Sequence, residues 1–304
     1  MIRAFTSEDL PFLDPLQPTG WSPLGPTFQT YLQHPFYQPI AYSEGGRLLG
    51  VANLTILGES AWLSHVIVHP DARRKGIGGA LVAHLIEAAD RSSVRTVSLI
   101  ATEDGQPVYA RLGFEPELPY LFFQGPEHRS TEANPEASGG TVRDSRIELI
   151  SFAAGGGTVD SGGTAGGSDS ATRGGGRPGD RNADIEAVLG IDAWVAGENR
   201  GLLLAPHLGQ VWVYRGATQV EGFYLPSFRE GLICARGPEA GTALLALKIA
   251  KNEKVVLPER NLHGIERLLA SGYRESSRCW RMRRGPPLAW HPEGLYSRIA
   301  GKLG

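Results

Sequence analysis

"VIVHPDARRKGIGGALVAHLIEAA", Val66 to Ala89, is the stretch on which the fold turns. An apolar run stops at a proline, passes three basic residues and restarts on closely spaced glycines. Residues Trp62 to Val68 are rich in branched and aromatic side chains and short enough for a buried strand. Pro70 ends that run, because proline cannot donate to a sheet ladder. Beyond the glycines, Ile77, Leu81 and Leu85 recur every four residues, with Val82, Ile86 and Ala89 beside them. That spacing predicts the apolar face of an amphipathic helix. The basic, glycine-rich segment therefore sits where a strand hands over to a helix N-terminus. The first amides of a helix lack intrahelical partners and carry the positive end of its dipole, so they favour an anion. Glycines let the anion approach the backbone, and Arg73, Arg74 and Lys75 add positive charge. The segment has the composition of a phosphate cradle.

Two common cradles do not fit it. A Walker loop needs GxxxxGK[ST], but Lys75 precedes the glycine and no Ser or Thr follows. The dinucleotide pattern GxGxxG would require glycine at Leu81. What fits is Arg-x-x-Gly-x-Gly, read as Arg73, Gly76 and Gly78. With the preceding strand and proline, it resembles the acetyl-coenzyme A signature of the GNAT superfamily of N-acetyltransferases. The competing reading is a solvated, basic helix start.

At 304 residues the chain has room for two domains of ordinary size. With 41% hydrophobic and 20% charged residues it reads as a soluble globular protein rather than a fibrous or disordered one. A formal net charge of −2 gives no general attraction to nucleic acid or anionic membrane. No apolar run approaches the roughly 20 residues of a membrane helix. The acidic start "MIRAFTSEDLPFL" lacks a signal core. Cys234 and Cys279 are too few for a disulfide framework or a cysteine-based zinc site. These features set the expectation of a cytoplasmic enzyme, monomeric or homodimeric, with no nucleic-acid or membrane partner and no metal.

Glycine marks the organisation of the chain. Gly155 to Gly179 holds eleven of the forty glycines among Ser, Thr and Asp, which predicts a flexible segment. Pro126 to Gly140 is also polar, and "RIELISFA" between them is a short strand candidate. The division expected is a first domain over 1–125, a linker over 126–184 and a second domain over 185–304.

In the first domain "PIAYS", "RLLGVANLTIL" and "AWLSHVIV", separated by turn residues, predict an antiparallel meander. "TVSLIAT" is a further strand, "DGQPVYARLGF" a short helix capped at Gly113, and "PYLFFQG" the closing strand. The order αα-βββ-α-β-α-β is similar to the GNAT layout. The resemblance extends to bacterial tandem-GNAT acetyltransferases through Gly20-Trp21, Ala61-Trp62-Leu63 and the group Ala101, Thr102, Gly105, Pro107, Tyr109, Leu112, Gly113, Phe114. It implies an α/β fold with mixed sheets, as two tandem GNAT units joined by the Gly-rich segment.

The resemblance also implies site roles. The strand before the signature splays from the next one, and acetyl-coenzyme A lies in the gap. Backbone groups of Val66, Ile67 and Val68 would pair with the pantetheine arm. Arg73, Arg74, Lys75, Gly76, Ile77, Gly78, Gly79 and Ala80 would hold the pyrophosphate, with Thr102 at the facing strand end. Acetyl transfer to an amine needs proton removal, oxyanion stabilisation and an acid for the departing thiolate. Tyr109, four residues before Gly113, is the acid candidate; a half-buried helix tyrosine is the other reading. His65 titrates near neutrality and is the base candidate, against a packed, hydrogen-bonded histidine or deprotonation through water. Glu103 and Asp104 could attract a cationic amine, and Trp21 could wall the acceptor, although a solvated loop and a docking helix explain them as well.

The second half repeats the element order without the cradle. "QVWVYRG", "VEGFYLPS" and "GLICARG" are three strands, followed by the helix "PEAGTALLALKIA", the strand "KVVLP", the helix "LHGIERLLASGY" and the strand "SRCWRMRR". Pro238 and Glu239 stand where the first half has its basic loop, and Leu268 stands where it has Tyr109. Asp192 and Arg200 are either part of a cleft between the domains or a structural ion pair. The expectation is an acetyl-CoA-dependent N-acetyltransferase with a degenerate second domain, acting on a small-molecule amine or amino-acid-like acceptor by direct attack in a ternary complex. Its rivals are a noncatalytic acyl-CoA sensor and a nucleotide-phosphate hydrolase; the latter is disfavoured by the missing Walker residues and metal carboxylates.

Overall fold

Tight glycine turns fold the first three long strands against one another in the computed structural model, which describes residues 1–126, 144–151 and 178–301. A short strand β1 (Ile2–Ala4) leads through two 3-10 turns, Ser7–Phe12 and Asp14–Leu16, to helix α1 (Leu24–Gln33). The meander follows as β2 (Tyr37–Glu44), β3 (Arg47–Leu57) and β4 (Ser60–Val68). Gly45 and Gly46 both take positive φ, 57° and 76°, as a two-residue hairpin loop requires. Then come α2 (Ile77–Asp90), β5 (Thr96–Ala101), α3 (Gln106–Ala110) and β6 (Glu115–Gln124). The pair of N-terminal helices expected is one helix preceded by 3-10 turns. Pro11 and Pro15 sit in those turns, where each removes an amide that a continuous helix would need.

The second half runs β7 (Ile147–Ser151), α4 (Pro178–Ala196), α5 (Gly201–Leu204), β8 (Gln210–Arg215), β9 (Val220–Leu225) and β10 (Leu232–Ala235). It continues with α6 (Pro238–Ile249), β11 (Val255–Pro258), α7 (Leu262–Ala270), β12 (Arg274–Arg284) and β13 (Leu295–Ser297). The Gly-rich segment falls outside the described residues, save its last two, Pro178 and Gly179, which open α4.

The strands form two sheets, with orders β1-β2-β3-β4-β5-β12-β6-β11 and β13-β10-β9-β8-β7. The first sheet crosses the division expected near residue 125. Strand β12 runs antiparallel between β5 and β6, and β11 pairs with β6. Each half thus lends to the other the strand that follows its last α-helix: β12 flanks β5, and β6 flanks β11. "PYLFFQG" therefore does not close the sheet. Residues Tyr120 to Phe123 lie inside it, paired on both sides with strands from the second half.

The two faces of the meander bury different things. One face carries Ala52, Leu54, Ala61 and Leu63 against Ile77, Leu81, Leu85 and Ile86 of α2. Each such fully buried aliphatic side chain contributes about 1.5–3 kcal/mol. The opposite face brings Leu57 and Trp62 against Val188, Ile191, Val195 and Phe223 of the second half. That face also holds a polar latch: Ser60 Oγ and Trp62 Nε1 both donate to the buried Glu198 carboxylate, at 2.5 and 2.6 Å. Arg281 of β12 places its guanidinium over both the Trp62 and Trp290 rings, at 4.9 and 4.0 Å.

Candidate active site

Strands β4 and β5 pair in parallel only over Ser60–Trp62 and Thr96–Ser98. Beyond that point they diverge, and among the described residues Leu63 to Val68 has β3 on one side and no strand on the other. The opening is a cavity of about 430 Å³ lined by Val66, Ile67, Val68, Arg73 and Gly78 on one wall and by Thr102, Asp104 and Tyr109 on the other. The clamp on Trp62 by Glu198 and Arg281 sits at the root of this opening, on the last paired residue of β4.

At the mouth, the chain enters α2 through two left-handed residues, Arg74 at φ 63° and the N-cap Gly76 at φ 82°. Gly76 has no side chain to cap the helix, and the first helical hydrogen bond runs from the Ala80 amide to the Gly76 carbonyl. The amides of Ile77, Gly78 and Gly79 are left as donors by helix geometry. A Cβ on Gly78 would stand 3.6 Å from Val68 and 3.9 Å from Val66, so any larger side chain would grow into the cleft. Arg73 Nε donates to the Val68 carbonyl at 3.2 Å, tying the basic loop to the end of the strand, while Arg74 and Lys75 are exposed.

Tyr109 rises from α3 on the far wall. Gly105 lies beneath its ring, where a Cβ would approach both the ring and Thr102 Oγ1 to 3.3 Å. Burial pushes the Tyr109 hydroxyl up to about 12, so it keeps its proton throughout the neutral range. His65 stands at a bulge in β4, where the register passes from Asn53↔Ser64 to Val51↔Ile67. Its Nδ1 is 2.9 Å from the Tyr31 hydroxyl, and its ring meets Trp21, Phe28 and Tyr31 edge-on at 5.6–5.9 Å.

The structure thus brings most of the expected residues to one cleft. Val66, Ile67, Val68, Arg73, Gly78, Thr102, Tyr109, Trp21 and Asp104 line it. Arg74, Lys75, Gly76, Gly79 and Ala80 belong to the loop and first turn at its mouth, and the Ile77 side chain points into the core under α2. Glu103 and His65 are outside the lining. Pro18, Val82, Gly105 and Val108 are lining residues that the sequence did not single out as a site; for Gly105 and Val108 the signal was their place in the "GQPVY" run. Asp192 and Arg200 form a buried ion pair at 2.6 Å, with 1% and 3% of their side chains exposed, which places them in the interior rather than in a cleft.

The corresponding opening in the second half is filled by the chain itself. Strand β13 pairs antiparallel with β10, Ile233 opposite Ser297 and Cys234 opposite Leu295, and the Arg298 amide donates to the Val256 carbonyl of β11 at 3.0 Å. Asn261 Nδ2 donates to the Leu295 carbonyl at 2.9 Å. Tyr296 packs on Gly241 in α6, whose Cβ position would fall inside the tyrosine ring. Glu239, in the first turn of α6, pairs with Arg146 at 2.7 Å.

Residues 3–114 match the acetyltransferase (GNAT) family. No curated protein matches the sequence. Among solved structures, a Pyrococcus horikoshii protein assigned as an acetyltransferase is similar over 100% of this chain and 95% of its own, with TM-score 0.73 and 18% identity. A tandem GNAT protein from the clavulanic acid biosynthesis pathway is similar over 94% of this chain and 99% of its own, with TM-score 0.57 and 16% identity. At these identities the likeness is one of fold, and it spans both halves. The match to the acetyltransferase (GNAT) family thus lies in residues 3–114, and the fold is similar along the length of the chain to that of a tandem GNAT protein.

Proposed function

We propose that the protein transfers the acetyl group of acetyl-CoA to a primary amine, within the first half, by direct attack in a ternary complex. The observation that carries this reading is the divergence of β4 from β5 after Trp62, beside a helix whose first amides have no capping side chain. An extended, amide-bearing arm can add to the free side of β4, while a diphosphate takes the α2 amides and the charge of Arg73, Arg74 and Lys75. When bound, acetyl-CoA supplies an activated acyl carbon and a thiolate leaving group. Tyr109, protonated and lining the same cavity, would give that thiolate a proton. Asp104, on the Tyr109 wall, offers a carboxylate to an approaching ammonium. The acceptor is a small-molecule amine or amino-acid-like compound.

Calorimetry with acetyl-CoA, followed by a panel of amines assayed for thiol release, tests this reading. The expected result is saturable binding that weakens at least tenfold in Arg73→Ala, as loss of a charge-assisted phosphate contact implies. Absence of binding, or equal affinity in the variant, would overturn the assignment of the cradle. Tight binding with no turnover on any amine would favour a noncatalytic sensor instead.

A further inference from the structure

We propose that Tyr31 is a positioning residue for His65, holding the imidazole in the pose and tautomer that accept a proton from the acceptor's ammonium group before the amine attacks; this rests on the acetyl-transfer reading above. Among the described residues His65 is one of four non-glycine residues with positive φ, at 51°. Non-glycine residues adopt that region uncommonly, histidine more readily than most, and residues held there gather at functional sites. Here the surroundings are specific. The bulge leaves His65 and Val66 opposite the single residue Ala52, and Val66 lines the cavity. Trp21, whose ring meets the imidazole edge-on, lines the same cavity and is 54% exposed. His65 is therefore one residue and one ring away from the place where an acceptor must sit.

Tyr31 fixes the ring from the inside. It is 1% exposed, projects from α1, and packs against Tyr37 and Phe28 at centroid distances of 4.6 and 5.3 Å. Burial pushes its hydroxyl above the ordinary tyrosine range, and Ser64 hydrogen-bonds to it. Asn53 Nδ2 in turn donates to Ser64 Oγ at 3.3 Å, so Tyr31 is tied into the buried polar residues of β3 and β4. The 2.9 Å contact joins Tyr31 to Nδ1. With Nδ1–H donating to the tyrosine oxygen, Nε2 keeps its lone pair. The charged and titratable groups facing this pair are Tyr37 of β2 and Arg229 of the β9–β10 loop, which acts electrostatically on both tyrosines.

The proton balance closes. Nε2 takes one proton from the ammonium, and the freed lone pair forms the N–C bond to the thioester carbon. The C–S bond breaks and the thiolate takes the Tyr109 proton. The nitrogen loses its second proton to water, imidazolium and water restore the two side chains, and one proton is released per turnover.

The test uses the full chain, with long-range nitrogen–proton NMR of the His65 imidazole and pH profiles of kcat/KM for wild type, Tyr31→Phe and His65→Gln. We expect the Nδ1–H tautomer in wild type, and an acid limb in kcat/KM that His65→Gln abolishes. In Tyr31→Phe that limb should move by about half a pH unit or more, with kcat falling roughly tenfold and acetyl-CoA affinity unchanged. An Nε2–H tautomer in wild type, or a limb that stays in place in Tyr31→Phe, overturns the assignment of Tyr31 while leaving acetyl transfer standing. If no amine is acetylated, the reading of the site fails, and this inference fails with it.

Discussion

Tyr109 and Lys248 show how burial sets the chemistry of a single side chain. A hydroxyl pushed up to about 12 behaves as a proton donor, not as a base, at any physiological pH. Tyr109→Phe should therefore lower kcat by about 10²-fold while leaving the acetyl-CoA dissociation constant unchanged, measured by steady-state kinetics beside calorimetry. A parallel loss of affinity would show the ring to be a binding element instead. Lys248 is the reverse case. It is 1% exposed, and its Nζ donates to the Glu230 carbonyl and to Ser297 Oγ. Burial pushes its pKa down to about 8 from 10.5. Below pH 8 the folded state carries the full cost of a buried cation. Between 8 and 10.5 the folded chain sheds a proton that the unfolded chain keeps, so unfolding free energy rises with pH. Denaturant titrations across that window should show a gain of up to about 3 kcal/mol in wild type that is absent in Lys248→Met.

Among the elements, the deciding comparison is between the two openings in the sheet. Both halves present a three-strand meander, a helix, a strand, a short helix and a final strand. In the first, the gap after Trp62 stays open beside glycines; in the second, β13 fills it and is anchored by Asn261, Lys248 and the Tyr296–Gly241 contact. An added strand from the chain satisfies the free side of β10 as a pantetheine arm would satisfy that of β4. Gly241→Ala should displace Tyr296 and destabilise the protein by about 1–3 kcal/mol, read as a lower denaturation midpoint. An unchanged midpoint would mean that β13 is not held against α6 as the contacts indicate.

For the whole molecule, the exchange of β6 and β12 makes the halves interdependent. Strand β6 has β12 and β11 as its sheet neighbours, and both come from beyond residue 250. A fragment of residues 1–126 would leave β6 without a partner, remove β12 from β5, and expose the Trp62 face. Such a fragment should show no cooperative thermal transition by circular dichroism; a sharp one would contradict the exchange. One opening in two is filled, so acetyl-CoA should bind the full chain with a stoichiometry of one, and a value of two by calorimetry would mean that β13 gives way. Glu198 and Arg281 carry the same dependence to the site, since both grip Trp62 where β4 leaves β5.

Local order of side chains was enough to determine the strand–proline–basic loop–helix unit of residues 62–89, because an apolar branched run, a proline stop, closely spaced glycines and a helical period are written within a few residues of one another. The same holds for the repeated element order of the two halves, whereas the placing of Tyr109, Thr102 and Arg73 near one cleft was legible only through the family resemblance of their motifs. Pairing across the chain was not legible. Nothing in the composition of β12 or β6 specifies which strand lies beside it, since a hydrogen-bonding edge accepts any strand of suitable length and face. The exchange of β6 and β12, the insertion of β13 and the clamp on Trp62 are therefore decisions of the tertiary structure. So is the meeting of His65 with Tyr31, which lie 34 positions apart and come within 2.9 Å only when α1 packs on the bulged strand.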